Sequence, residues 1–312
     1  MISVIMCTFN EKIEFIENAI NSILNQSYTD FEYFIVLDNP QNVQIKNVVQ
    51  KYENKDGRIK IIYNDKNIGL TASLNKALKL VSGNYIARID ADDIAEFNRF
   101  EKQLKYIETQ KLDIVGSEMR RISEDGVIIC ERTNKSFPYQ YIGRMLEYDN
   151  CVPHPSWMVK KEVYDKLNGY RDFVACEDYD FLLRAKRHGF KIGIANSILM
   201  NYRISINGIS RTNSLRQMLS SCYLQKNLCR IDEVTKGEIE KYLSRYITST
   251  NTEAYEKALQ RMLVILDNVK NGDKKQLICL VPLIFKSRFI YLNFKKIFFM
   301  YKFKKLYNKE EK

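Results

Sequence analysis

The sequence predicts an α/β fold: a central, mostly parallel sheet flanked by helices, followed by a C-terminal helical extension. Three observations carry this. Strand-like and helix-like patterns alternate through the first ninety residues. Clusters of Asn, Asp and Gly punctuate the alternation. Past a composition shift at Asn207–Asn213, the apolar spacing is helical to the end.

Ser3–Phe9 reads as a buried first strand, turned at Asn10-Glu11. Glu11–Gln26 is an amphipathic helix, with Ile13, Ile16, Ile20, Ile23 and Leu24 on one face. Phe31–Leu37 is a second strand that stops at Asp38-Asn39-Pro40. A helix over Val43–Tyr52 and a strand over Arg58–Tyr63 follow. Asn67-Ile68-Gly69-Leu70 opens a helix over Thr71–Val81, which Ser82-Gly83-Asn84 ends. The next strand, from Tyr85, runs into Asp90-Ala91-Asp92-Asp93, and a helix is expected over Ala95–Gln110.

The second half is less regular. Asp113–Met119, Val127–Cys130, Lys191–Ala195 and Ile198–Ile204 are strand-like. Tyr139–Glu147, Lys161–Leu167 and Tyr179–Arg187 suit short helices. The predicted domains are 1–210, divided into halves at 93/94, and a helical extension over 211–312.

Hydrophobic residues make up 45% of the 312, so a sizeable core is available and global disorder is excluded. The net charge of +11 argues for an acidic partner. The seven Cys are scattered without a CxxC pair, which argues against a zinc site or a disulfide framework and points to a reducing cytoplasm. No signal peptide is read at the N-terminus. Leu277–Phe285, the best apolar run, is too short to span a membrane. There is no GxGxxG or GK[ST] loop after the first strand, and no nucleic-acid-binding pattern.

Parallel sheets bind ligands beyond the carboxyl ends of their strands. Thr8, Phe9, Asn10, Glu11, Asp38, Asp90 and Asp92 all fall there. Three carboxylates within four residues repel one another, and a hard divalent cation relieves that with oxygen ligands, Mg2+ or Mn2+ rather than zinc. A helix-capping turn is the other reading, and Asp93 suits a cap best. Asp38 is a base or ribose acceptor, or a turn-forming Asp before Pro40. Glu177 and Asp178 open a helix, where acidic residues are favourable in themselves, or supply a general base. His154 is a structural His or lines a substrate pocket with Trp157. Arg203 and Arg211 flank a Gly208-containing loop that closes over phosphates or is a solvated linker. Residues 274–312 hold eleven Lys and Arg against two Glu, among many aromatics. That composition suits a basic amphipathic segment on an anionic membrane, or a helix packed on its own domain.

Taken in order and spacing, these motifs resemble the family 2 glycosyltransferases, which have the GT-A fold. The resemblance covers residues 2–210. It rests on Ser3–Asn10, on Phe34–Asp38, on Asn67-Ile68-Gly69-Leu70 with Ser73-Leu74-Asn75, on Arg88–Asp93 as a DxD motif and on Cys176–Asp180 as an ED motif. By resemblance, Thr8, Phe9, Asn10, Glu11, Asp38, Asn67, Gly69, Leu70, Asn75, Arg88, Asp90 and Ala91 bind the donor. Asp90 and Asp92 hold Mn2+ or Mg2+, and Asp178 is the catalytic base, beside Glu177. His154, Ser156, Trp157 and Arg203 lie on the acceptor side.

The implied activity is inverting sugar transfer from a nucleoside-diphosphate donor, UDP foremost. The acceptor is a saccharide or a polyprenyl-diphosphate-linked saccharide of a bacterial cell-surface polysaccharide. The enzyme would sit peripherally on the inner face of the cell membrane. A nucleotidyltransferase would need a Gly-rich basic loop that Thr8–Glu11 does not supply. A catalytically weak sugar-binding or scaffold protein is the alternative from another class, because Leu37 stands where the family's second strand has the first of two Asp.

Overall fold

Seven consecutive residues of β1 (Ile2–Thr8) carry no charge, and all but Cys7 are buried. In this computed structural model, which describes residues 1–133, 137–204, 213–270, 272–286 and 288–310, β1 lies inside a nine-stranded sheet. It pairs in parallel with β2 (Phe31–Leu37) on one side and β4 (Tyr85–Asp90) on the other. Parallel pairing covered on both faces favours such uninterrupted apolar runs. β2 pairs in parallel with β3 (Ile59–Tyr63) at one edge.

The crossovers are helices α1 (Ile13–Leu24), α2 (Val43–Glu53) and α3 (Leu70–Leu78). The buried face of α1 is Phe15, Ile16, Ala19, Ile20 and Ile23, a 3.6-residue stripe laid on the sheet. α1 starts two residues later than its apolar pattern predicts. Glu11 is bound to the turn before it, accepting from Thr8 Oγ1 at 2.7 Å and from the Phe9 amide at 2.8 Å.

Beyond β4 the sheet becomes mixed. Its order is β3-β2-β1-β4-β8-β6-β9-β5, with β7 on β6. Here β5 is Ile94–Ala95, β6 Ile114–Ile122, β7 Ile128–Thr133, β8 Met158–Lys160 and β9 Ile192–Arg203. Three predictions change. The two late strands are one, because β9 continues through a bulge: Ala195 pairs with Ser117 and Ile198 with Glu118, so Asn196 and Ser197 are extra. Ala95 is strand, not helix, because it pairs with Met200 of β9, and α4 begins only at Arg99 (Arg99–Gln110). Asp93 therefore caps no helix, since Asn98 holds the N-cap position of α4. Arg99 is buried and donates to the Arg88 and Trp157 carbonyls at 2.7 and 3.2 Å, tying β4 to the residue that precedes β8. Helices α5 (Tyr139–Met145), α6 (Lys161–Leu167) and α7 (Glu177–Arg187) complete this part.

The chain divides into two units: Met1–Leu146 with Asn150–Gly208, and Glu147–Asp149 with Ile209–Lys312. The composition shift at Asn207–Asn213 and Arg211 fall largely or wholly on residues 205–212, outside the described residues. The second unit is helical, with helices Ser214–Lys226, Lys236–Leu243, Ser249–Lys270, Leu277–Lys286 and Arg288–Glu310. Thr235 and Glu238 form a capping box at the second of these. Leu280 and Ile290 are buried, and Tyr148 stacks on Phe299 at 4.4 Å, so part of the basic segment packs within its own unit. Ile278, Val281, Tyr291 and Phe298 remain exposed. None of the described helices is long and apolar enough to cross a membrane.

Candidate active site

Register brings the strand ends together. Thr8 pairs with Leu37 and Cys7 with Asp90, so the residues that follow β1, β2 and β4 share one edge. Asp38, just past β2, is buried and fully engaged. Its Oδ1 accepts from Asn64 Nδ2 at 2.8 Å and the Ile68 amide at 2.9 Å, and its Oδ2 accepts from the Gly69 amide at 2.9 Å. Gly69 has φ +83°, a conformation that only Gly adopts cheaply, and that places its amide on Asp38. Asn67 Oδ1 also accepts from the Gly69 amide, and Leu70 begins α3. Asp38 thus shapes the loop before α3.

Beside it lies an open cleft of about 440 Å³ lined by Asn10, Asn39, Gln41, Asn42, Val43 and Gln44. Asn39 Nδ2 donates to Asn10 Oδ1 at 2.6 Å across it. Apart from Asn10, these amides were not among the predicted site residues. Four Asn and Gln within six positions after β2 were the available signal. Phe9 stands exposed at the end of β1.

At the end of β4, one oxygen from each of Asp90, Asp92 and Asp93 lies within 4.8 Å of the others. Ala91 points into the core between them. The three are not equivalent. Asp90 is about one-third exposed and takes an ion pair from Arg88 Nη2 at 2.5 Å. Burial, reinforced by Asp90 and Glu11, pushes Asp92 up to about 7. Asp93 is wholly buried, and burial with Asp92 and Asp90 holds it well above the usual carboxylate range. Its Oδ1 accepts from the Arg203 amide at 2.9 Å, and its Oδ2 has no partner among the described residues. Clustered, partly desolvated carboxylate oxygens, one of them unsatisfied, fit a hard divalent cation such as Mg2+ or Mn2+.

The second acidic group opens α7. Glu177 is pushed up to about 7 by burial and then by Asp178. Asp178 is raised by burial, opposed by hydrogen bonds from the Tyr179 amide at 2.6 Å and Asn150 Nδ2 at 2.7 Å. Just before it, Ala175 has φ +59°, a strained conformation for a residue with a Cβ. Asp180 is neutralised inside the core by Arg171 and Arg184. Repulsion from Asp90 adds a smaller push to Glu177. The Arg88 charge acts against the effect of burial at Glu177, Asp178 and Asp93 alike. Its Nε and Nη1 are buried without a partner among the described residues.

The remaining predicted residues take three different places. His154 is buried, with its Nε2 2.8 Å from Tyr170 Oη and its ring 4.5 Å from that of Trp157. Burial holds it well below the ordinary His range, hence neutral. Trp157 donates to the Val152 carbonyl, and Ser156 Oγ bridges the Pro153 carbonyl and the Ser117 amide. These three are enclosed in the core. Asn75 binds the backbone of Tyr170. Arg203 joins the acidic turn, with Nε donating to the Asp92 carbonyl at 2.9 Å.

Residues 3–167 match the glycosyl transferase family 2 profile. An uncharacterized glycosyltransferase of Methanocaldococcus jannaschii, MJ1057, is 37% identical over 72% of this chain and 78% of its own length. The O-antigen biosynthesis glycosyltransferase WbnJ of Escherichia coli is 36% identical over 65% of this chain and 80% of its own. Among solved structures, residues 1–349 of S. aureus TarS in complex with UDP-GlcNAc superpose with a TM-score of 0.58 at 17% identity, covering 82% of this chain and 75% of that one, which bears out the GT-A fold. The chain belongs to glycosyl transferase family 2 and is a glycosyltransferase.

Proposed function

We propose that this enzyme transfers a sugar, with inversion, from a nucleoside-diphosphate donor to a hydroxyl of a saccharide acceptor. The observation that carries the reading is the acidic turn after β4, where one oxygen from each of Asp90, Asp92 and Asp93 lies within 4.8 Å of the others, together with the buried Asp178 held by Asn150 and the Tyr179 amide at the start of α7. The donor lies along the strand ends. Its base faces the amide cleft of Asn10 and Asn39, on the loop that Asp38, Asn67 and Gly69 shape. UDP suits this cleft, since amides complement the carbonyls and N–H of uracil. Thr8, Phe9, Glu11 and Leu70 border the nucleotide. Asp90 and Asp92 hold Mg2+ or Mn2+, which supplies charge neutralisation at the departing diphosphate.

Asp178 acts as general base. Its two N–H donors favour the charged form and aim the carboxylate, while burial keeps it basic. The acceptor hydroxyl gives its proton to Asp178. Its oxygen bonds to the anomeric carbon from the face opposite the diphosphate, and the C–O bond to the diphosphate breaks with the electron pair on the leaving oxygen. Glu177 stands beside it, and His154, Ser156 and Trp157 support the acceptor side from within the core.

The acceptor class follows from the name of the Escherichia coli relative and from the basic C-terminal helices. A growing cell-surface polysaccharide on a polyprenyl-diphosphate carrier presents anionic groups at a membrane. Exposed Ile278, Tyr291 and Phe298 among Lys and Arg suit docking on the inner face of that membrane. A panel of nucleotide sugars, incubated with Mn2+ or with EDTA and assayed for released nucleoside diphosphate, tests the reading. Release of UDP from a UDP-sugar only with the cation is expected. Release from no donor, or equal release in EDTA, contradicts it.

A further inference from the structure

We propose that Arg203 is the positioning residue of the acidic turn, holding Asp92 and Asp93 in the arrangement that accepts a divalent cation. This rests on the metal reading above and adds to it a residue from the far end of β9. Arg203 is 3% exposed, so it does not meet an acceptor in solvent. Its amide donates to Asp93 Oδ1 at 2.9 Å. Its Nε donates to the Asp92 carbonyl at 2.9 Å. Its Nη1 reaches the Ser123 and Glu124 carbonyls, at 3.0 and 2.6 Å, in the turn between β6 and β7. The guanidinium lies 4.2 Å from the ring centre of Phe15 on α1.

The backbone amide holds Asp93, while the guanidinium holds three main-chain carbonyls and rests on the Phe15 ring. One planar fork therefore ties the acidic turn to a second turn and to a helix. Lysine is a point donor and does not reproduce the fork. The turn needs such a tie, because one oxygen from each of its three carboxyl groups lies within 4.8 Å of the others, an arrangement that is costly to keep once any two are charged. The charge of Arg203 also opposes that repulsion at Asp92. Residues that orient metal ligands contribute roughly 10–100-fold to metal affinity.

Mn2+ titrated calorimetrically into the full chain with saturating UDP, well below the melting temperature, tests this without turnover. Arg203→Lys keeps the charge and loses the fork, and a rise in the Mn2+ Kd of roughly tenfold or more is expected. Ile107→Ala, in the core on α4, is the stability control: its melting temperature falls while its Kd stays at the wild-type value. Phe15→Leu removes the ring beneath the guanidinium, and a weakening of roughly threefold is expected. It decides the matter where Arg203→Lys does not fold. A wild-type Kd in folded Arg203→Lys, or failing that in Phe15→Leu, overturns the positioning role while the metal site stands. Absence of Mn2+ binding by the wild-type chain overturns the metal reading itself, and this proposal with it.

Discussion

Asn75 clasps the peptide of Tyr170 from both sides: its Nδ2 donates to the Tyr170 carbonyl at 2.8 Å, and its Oδ1 accepts from the Tyr170 amide at 2.9 Å. This joins α3 to the segment that leads into Glu177. The neighbouring Gly169 has φ +69°, and a Cβ there would lie 2.4 Å from Asn75 Oδ1. Asn75→Ala should cost about 1–3 kcal/mol, since it leaves both peptide groups unpaired. Gly169→Ala should also destabilise, through φ and through the clash. The two should be non-additive, because Asn75→Ala removes the atom that Gly169→Ala strikes. Urea unfolding of both single variants and the double variant measures the coupling, and strict additivity would refute the clasp.

Stability should depend on pH through Glu177. Its carboxyl is raised from 4.5 to about 7 in the fold. Below the unfolded value both states hold the proton, and the group contributes nothing to the slope. Between the two values the unfolded chain releases its proton and the folded chain keeps it, so stability falls as pH rises. Above about 7 the cost is constant. Asp92, also raised to about 7, acts in the same sense. In EDTA, unfolding free energy should therefore decrease from pH 5 to pH 7.5, and Glu177→Gln should flatten part of that decrease. An unchanged slope in Glu177→Gln would contradict the burial of its charge.

The membrane proposal concerns exposed groups. Lys295 and Lys302 are exposed on the last helix, and Lys275 on the short turn before Leu277. Lys near an anionic surface contributes about 1 kcal/mol each. Changing all three to Glu should lower co-sedimentation with anionic vesicles by roughly tenfold or more, without affecting neutral vesicles or donor turnover. The difference should shrink in high salt, where the Debye length falls below about 8 Å. Equal sedimentation of variant and wild type would favour helices that only pack within their own unit.

The first ninety residues were legible because β1 and β2 are buried on both faces and the helices on one. Local period alone then reports β1, β2, α1 and α3. The acidic turn was legible because three carboxylates at a strand end have few uses. What escaped the sequence is long-range. Ala95 is strand only because Met200 pairs with it. β9 is continuous only because β6 tolerates a bulge. Arg203 reaches Asp93 across 110 positions, and no local pattern marks it. His154 offered two readings, and its burial against Tyr170 and Trp157 depends on the way α6 and α7 return to β8.

On the proposed mechanism, Asp178 removes the acceptor proton at a site whose donor binding is independent of it. Asp178→Asn keeps the side-chain shape and an oxygen to accept from Asn150 or from the Tyr179 amide. The decisive measurement pairs calorimetric binding of UDP with Mn2+ and the single-turnover transfer rate in this variant. Binding at the wild-type level with transfer lowered about 100- to 10,000-fold is expected. Transfer at the wild-type rate would contradict the account.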